Sequence, residues 1–149
     1  MPYLWAAYRM GTFGNFQVGL DRNEFRELIF GTIHGLFKVG GDAFALLAKR
    51  GDGTEAVMGV VTVMPHQLQM WPHVNWFPWS TLRNRIECAL RFLLETKERC
   101  NLIIVASPKD VDFFLHLCRY GVVRRIGTGR GWLGEHNVVL FETVRRLSD

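Results

Sequence analysis

The sequence predicts a single α/β domain, residues 1–149, in which a mixed, mostly antiparallel sheet is flanked by helices. Three observations lead to this prediction. Apolar residues at helical spacing alternate along the chain with short strand-like stretches. Two of those stretches are joined by Asp52 and Gly53, a pair typical of tight hairpin turns. A chain of 149 residues with 48% hydrophobic and 21% charged residues is long enough to bury one ordinary core.

The elements of the first half follow from capping residues, turns and apolar spacing. Residues 21–23 precede apolar residues at three- and four-residue spacing, which predicts a helix that ends near Gly40. Three strands are predicted after this helix, at residues 43–49, 56–64 and 68–79. In the third strand we expect Pro72 and Pro78 to break the ladder, because proline has no N–H to donate. Residues 13–18 form a further strand or a loop.

The second half begins with an amphipathic helix from Leu82 that ends at Asn101. The remaining predicted elements are a strand at 102–106, a helix at 111–120 and a hairpin with strands at 122–133 and 138–144. The first of these strands is a continuous apolar run, which predicts burial on both faces. Gly121 suits the left-handed position that ends a helix. Residues 127–131 alternate glycine with other residues and precede no helix, so we interpret them as a bulged strand.

Composition excludes several classes of protein. No apolar run approaches the ~20 residues that cross a bilayer, so we expect a cytoplasmic protein without membrane contact. Cys88, Cys100 and Cys118 form no C-x-x-C pair and are predicted to be buried thiols in a reducing compartment. The net charge is +4 and the pI about 9.3, but the basic residues are scattered, so nucleic acid is not an expected partner. The histidines show no ligand spacing, which predicts no metal site.

The order of elements closes with a helix that ends at a glycine and a strand that reaches another glycine. Gly121 and Gly127 occupy these two positions. Together with the element order over residues 20–145, this motif resembles the GNAT superfamily of acyl-CoA-dependent N-acyltransferases. The resemblance implies a GNAT-like fold for the whole domain.

The resemblance also implies where a cofactor would bind. In that family a glycine-rich loop before a helix holds the diphosphate of acetyl-CoA with backbone N–H groups. The matching residues 80–85 contain no glycine. The cofactor-binding candidates are Ser80, Thr81, Arg83, Asn84 and Arg85. Either the arginines supply charge in place of backbone donors, or Ser80 or Thr81 only caps the helix and the arginines are solvated. Pro78 removes a donor from the strand on which the family pairs the cofactor's pantetheine arm.

Catalytic groups are likewise altered relative to the family. A tyrosine that protonates the leaving thiolate often lies four residues before the glycine of the late helix. That position here is Leu117, so His116 or Tyr120 would have to act instead. A glutamate base often lies on the strand before the cofactor loop. The candidate there is His73, because Asn75 cannot accept a proton usefully. The alternative role of His73 is that of a surface or packing residue.

An aromatic cluster precedes the candidate cofactor loop. It consists of Trp71, Trp76, Phe77 and Trp79. Alternation along a strand would place rings on both faces. One set would then form a partner-binding surface, since tryptophan is favoured in protein interfaces. The alternative is that flanking helices bury both sets.

Two functions follow from these features. The first is a GNAT-fold protein with a degenerate acetyl-CoA site, no cofactor and a non-catalytic role in protein contacts. Residues 76–84 resemble small GNAT-like proteins of tailed bacteriophages, which implies virion or assembly subunits as partners, in the host cytoplasm or the virion. The alternative is an N-acetyltransferase that uses acetyl-CoA, with His73 as base. A third hypothesis, binding of host nucleic acid, rests on positive charge alone.

Overall fold

The computed structural model describes residues 1–13, 18–66, 69–96, 102–133 and 136–144. The chain divides into two compact units. Unit one comprises Met1–Met64 and His73–Cys88, and unit two comprises Pro65–Pro72 and Ala89–Asp149. A single domain over residues 1–149 stays a prediction. The elements are α1 (Pro2–Arg9), α2 (Arg22–Lys38), β1 (Asp42–Lys49), β2 (Glu55–His66), β3 (Gln69–Trp76), α3 (Leu82–Thr96), β4 (Ile103–Ala106), α4 (Val111–Cys118), β5 (Val123–Leu133) and β6 (His136–Thr143).

Helix α2 of unit one begins where its capping residues predict. The Asp21 carboxylate accepts hydrogen bonds from the backbone N–H groups of Asn23 and Glu24, at 2.8 and 2.9 Å. The Glu24 carboxylate accepts in return from the Asp21 N–H at 2.8 Å. This reciprocal pair satisfies donors that have no partner inside the helix. The helix is followed by Gly40 at φ 82°, which confirms the predicted end.

Helix α1 was not predicted, because eight residues carry too little helical pattern to stand out from a loop. Its stability comes from packing, as is usual for so short a helix. The rings of Trp5 and Tyr8 lie 5.6 and 4.5 Å from the ring of Phe25 on α2. The predicted strand or loop at 13–18 lies largely outside the described residues.

The sheet of unit one has the strand order β1-β2-β3. Strands β1 and β2 are antiparallel, with a register shift between Leu46 and Leu47. Strand β3 continues past Pro72 and ends at Trp76, so the predicted end at residue 79 was wrong. The predicted break of the ladder at Pro72 stays a prediction. As the outer strand of this sheet, β3 tolerates a missing N–H on the side that faces away from β2.

The turn between β1 and β2 carries a carboxylate with a shifted pKa. The Asp52 carboxylate accepts hydrogen bonds from the Thr54 hydroxyl at 2.6 Å and the Thr54 N–H at 2.9 Å. The side-chain bond from Thr54, followed by the backbone bond, lowers the pKa of Asp52 below 3.8. Because the folded pKa is depressed, the associated stability is present above the unfolded pKa and is lost as pH falls through the folded pKa.

We expect Thr54→Val to raise the pKa of Asp52 towards its ordinary value, because the hydroxyl donor is removed. The measurement is an NMR titration of the Asp52 carboxyl carbon. Thr54→Ser keeps the hydroxyl and is the matched control, with a titration close to that of the original chain. Identical curves for Thr54→Val and the original chain would contradict this account of the shift.

Unit two contains a sheet with the strand order β4-β6-β5, in which both pairings are antiparallel. The register of β5 against β6 shifts between Arg125 and Gly127 and again between Gly129 and Leu133. These irregularities confirm the interpretation of the glycine alternation as a bulged strand. One parallel bridge joins Met70 to Leu102 beside this sheet.

Burial in unit two follows the predicted pattern. Leu102 and most of β4 are buried, as the continuous apolar run predicts. Gly121 has φ 73° after α4 and so takes the predicted left-handed position.

Two of the three cysteines are described, and one of them is buried as predicted. Cys88 is buried and Cys118 half-buried, both as free thiols, and burial raises the pKa of Cys118. Cys100 lies outside the described residues. Among the described helices, none has both the length and the apolar character that crossing a membrane demands.

Candidate functional site

The candidate site is the junction between β3 and α3, residues 77–85 of unit one. Strand β3 ends when the Phe77 N–H donates to the Met58 carbonyl at 2.8 Å. The chain then turns, because the Phe77 carbonyl accepts from the Ser80 N–H at 3.0 Å and from the Ser80 hydroxyl at 2.7 Å. Helix α3 begins two residues later at Leu82. The junction is therefore a fixed turn and not an open loop.

Of the two capping candidates, Ser80 and Thr81, it is Thr81 that caps α3. Its hydroxyl accepts from the Asn84 N–H at 3.1 Å, and the Asn84 side-chain oxygen accepts from the Thr81 N–H at 3.1 Å. The same oxygen accepts from the Thr81 hydroxyl at 2.9 Å. This is a reciprocal cap in which asparagine takes the place of the usual glutamate or glutamine. Two backbone donors at the start of the helix are consequently bonded within the protein.

Ser80 and Arg85 form a second fixed pair in the junction. Ser80 is buried, and its hydroxyl accepts from the Arg85 Nε at 2.8 Å. The Arg85 guanidinium lies 5.9 Å from the centroid of the Trp76 ring, a cation–π arrangement. Arg85 is thus held against the protein, whereas the Arg83 side chain is exposed. The two arginines that were candidates for binding a diphosphate therefore differ in how firmly the protein holds their side chains.

Leu82 occupies the first position of α3 and is 65% exposed. The first N–H groups of a helix have no partner inside it and face outward. An anion that approaches them at Leu82 would meet an isobutyl side chain instead of the hydrogen atom of a glycine. The residues present therefore do not fit the diphosphate of acetyl-CoA in the way that the resemblance implies.

His73, the candidate base, lines the mouth of a cavity in unit one. The cavity has a volume of about 390 Å³ and includes Thr62 and Asn75. Its walls are largely apolar, with Leu4, Phe13, Ile29, Ile33, Phe44 and Val60 among them. His73 is exposed at this mouth, and its carbonyl lies 3.4 Å from the Thr62 hydroxyl. The sequence did not single out Thr62, because its nearness to His73 depends on the register of β2 and β3.

The acid candidates lie in unit two. Leu117 is fully buried, which agrees with a packing role and not a chemical one. The rings of His116 and Tyr120 are neighbours, with centroids 5.7 Å apart, and Tyr120 is 54% exposed. Their participation in proton transfer stays a prediction.

The aromatic cluster does not form one exposed surface. Phe77 is fully buried, whereas its neighbour Trp76 is only half-buried. The Trp79 ring lies 5.0 Å from the Phe77 ring, and its N–H donates to the Val57 carbonyl at 2.8 Å. Trp76 and Trp79 are half-buried in unit one, and Trp71 is half-buried in unit two. The predicted partner role is therefore wrong for the Phe77 side chain and stays a prediction for the three tryptophans.

Metal-binding clusters are absent from the described residues, since no three histidine, cysteine or acidic side chains there converge on a possible ion. The expected lack of a metal site remains a prediction for the chain as a whole.

Comparisons with known proteins identify the fold. A protein assigned as a ribosomal-protein-serine acetyltransferase, from Vibrio cholerae, has a TM-score of 0.62 at 15% identity, over 97% of this chain and 87% of that one. A ribosomal-protein-alanine N-acetyltransferase from Brucella melitensis has a TM-score of 0.61 at 14% identity, over 97% of this chain and 93% of its own. Protein-family models give no match, and curated proteins give no significant match in sequence. The structural likeness establishes a GNAT-like fold, which confirms the predicted fold class.

Proposed function

We propose that this chain is a GNAT-fold protein that binds other proteins and does not transfer acyl groups. The observation that carries the proposal is the reciprocal cap between Thr81 and Asn84. It occupies backbone donors at the point where the fold family holds its cofactor. Leu82, exposed at the first helical position, adds apolar surface to the same place.

The cost of reopening this junction is appreciable but finite. Displacing a helix cap costs about 1 kcal/mol, which is roughly a fivefold loss of affinity. Freeing Arg85 from Ser80 and Trp76 costs a further hydrogen bond and a cation–π contact, each worth about 1 kcal/mol. A ligand would also lack the close backbone approach that glycine permits. Together these effects disfavour acetyl-CoA without making its binding sterically impossible.

The partners under this proposal are protein subunits. The resemblance of residues 76–84 to phage GNAT-like proteins suggests subunits of a virion or of its assembly apparatus. The burial of Leu117 supports a non-catalytic role, because a leucine supplies no proton to a leaving thiolate.

We expect calorimetric titration of the chain with acetyl-CoA to show no binding at concentrations up to about the millimolar range, a range in which the binding free energy is only ~4 kcal/mol. Micromolar binding that is lost in an Arg83→Ala/Arg85→Ala variant would overturn the proposal. Arg26→Ala is the matched control, because Arg26 lies on α2 outside the junction.

A second candidate function is an acetyl-CoA-dependent N-acetyltransferase with His73 as base. The observation that favours it is the position of His73 at the mouth of a largely apolar cavity, where an amine could approach the imidazole. This function requires the cofactor, so absence of acetyl-CoA binding ends it. If acetyl-CoA binds, His73→Gln should lower kcat while leaving the affinity for acetyl-CoA unchanged.

A further inference from the structure

A second cavity in unit one lies beside the β1–β2 turn and the first turn of α3, and we name it the basic pocket. Its volume is about 680 Å³. The side chains that matter for its chemistry are Lys49, Arg50, Met58, Trp79, Arg83 and Glu87. A volume of this order suits a ligand of several residues or of drug size.

Three cations on the lining of the basic pocket have no hydrogen-bonded or ion-pair partner among the described residues. Over the part of the chain that the structure describes, the side chains of Lys49, Arg50 and Arg83 form neither a hydrogen bond nor an ion pair. The carboxylate closest in sequence, Asp52, is hydrogen-bonded to Thr54, and Arg50 makes only a minor contribution to lowering the pKa of Asp52. Single unpaired cations are common on protein surfaces, but three around one cavity create a local positive potential.

The Trp79 ring adds a second recognition element to the pocket. It is half-buried, whereas Met58, at 2% exposure, has almost no surface for a ligand to contact. The indole N–H of Trp79 is already donated to the Val57 carbonyl, so the ring offers only apolar contact. Cations around an apolar surface of this kind match a ligand that has both carboxylates and one apolar side chain.

We propose that the basic pocket binds an acidic peptide segment of a protein partner. The inference rests on the proposed function as a protein-binding module and names the chemistry of its partner. Carboxylates of the segment lie against Lys49, Arg50 and Arg83, and an apolar side chain of the segment lies against Trp79.

The fourth charged residue of the pocket distinguishes a peptide from a polyphosphate. Glu87 places a carboxylate on the same lining. A ligand that is anionic over its whole length places charge beside this exposed carboxylate, whereas a peptide can place an uncharged residue there. A peptide also brings backbone N–H groups, which are acceptable neighbours for a carboxylate.

The test uses the full chain and a fluorescein-labelled seven-residue peptide in which glutamates flank a central phenylalanine. We expect fluorescence anisotropy to show saturable binding at low salt that weakens as salt is added. Arg50→Glu/Arg83→Glu should weaken binding about tenfold, because two attractions become repulsions. Arg26→Glu/Arg119→Glu makes the same charge change at exposed residues outside the pocket and should change affinity by less than about twofold.

Four results would overturn the inference. The first three are absence of binding, an equal loss in both double variants, and equal affinity for a peptide with glutamine in place of glutamate. The fourth is tighter binding of a labelled oligothymidylate through the same arginines, which would favour nucleic acid as the ligand. Circular dichroism of each variant establishes that the fold is intact. Failure with the peptide leaves the acetyl-CoA titration unaffected, so the two proposals fail separately.

Discussion

Phe77→Ala is expected to lower the free energy of unfolding by about 3–5 kcal/mol, as for other buried phenylalanines. The Phe77 ring is fully buried and lies 5.0 Å from the Trp79 ring and 6.3 Å from the Phe13 ring. Its backbone meanwhile holds the end of β3 and the turn before α3. Alanine keeps those backbone bonds but leaves a cavity beneath the candidate site. Urea unfolding followed by circular dichroism measures the change.

The matched control for this prediction is Phe77→Leu, which retains most of the buried volume. We expect it to cost about 1 kcal/mol, in the range of near-isosteric core changes. A loss below about 1 kcal/mol for Phe77→Ala would show that the ring does not support the junction, because such a loss is typical of exposed positions.

Gly59→Ala is expected to destabilise the chain by about 1–3 kcal/mol, through overpacking between β2 and β3. A Cβ at Gly59 would lie 2.7 Å from the Asn75 carbonyl oxygen and 3.3 Å from the Trp76 Cα. Both contacts are with backbone, so a rotamer change cannot relieve them and the two strands must separate. Thermal unfolding of the variant measures the cost.

Gly35→Ala provides a control of opposite sign. A Cβ at Gly35 has nothing within 4 Å, and the residue lies inside α2. Alanine there should stabilise the chain by about 0.5–1 kcal/mol, because it has the higher helix propensity. If Gly59→Ala did not lower the stability of the chain, the close packing of β3 against Gly59 would be contradicted.

The elements that the sequence predicted well are those with local signals. Asp21 with Glu24 determines the start of α2, and the pair Asp52 and Gly53 determines the β1–β2 turn; both depend on bonds between residues at most four apart. Helix α1 carries no such signal and is stabilised by rings that contact Phe25, about 20 residues away along the chain. Contacts between distant residues cannot be read from periodicity, which explains why α1 was missed.

The candidate site shows the same division between local and distant contacts. The sequence indicated that Ser80 or Thr81 would cap α3, and the reciprocal bond to Asn84 selects Thr81. It did not indicate that Arg85 is bound to Ser80 and lies over Trp76, since side-chain direction in a turn is not periodic. Nor did the sequence indicate which of the four aromatic rings is fully buried, and the structure shows that it is Phe77.

The outer strand β5 affects how copies of this protein meet in concentrated solution. An outer strand presents backbone donors and acceptors that another chain can pair with, which is a route to aggregation. Strand β5 has 11 residues and carries Arg124, Arg125 and Arg130 as exposed side chains. Arg124 is neutralised by Glu142, but the other two would face the same charges on an approaching copy. Dissolved ions screen that repulsion. Higher ionic strength should therefore make pairing between the β5 strands of two copies more favourable.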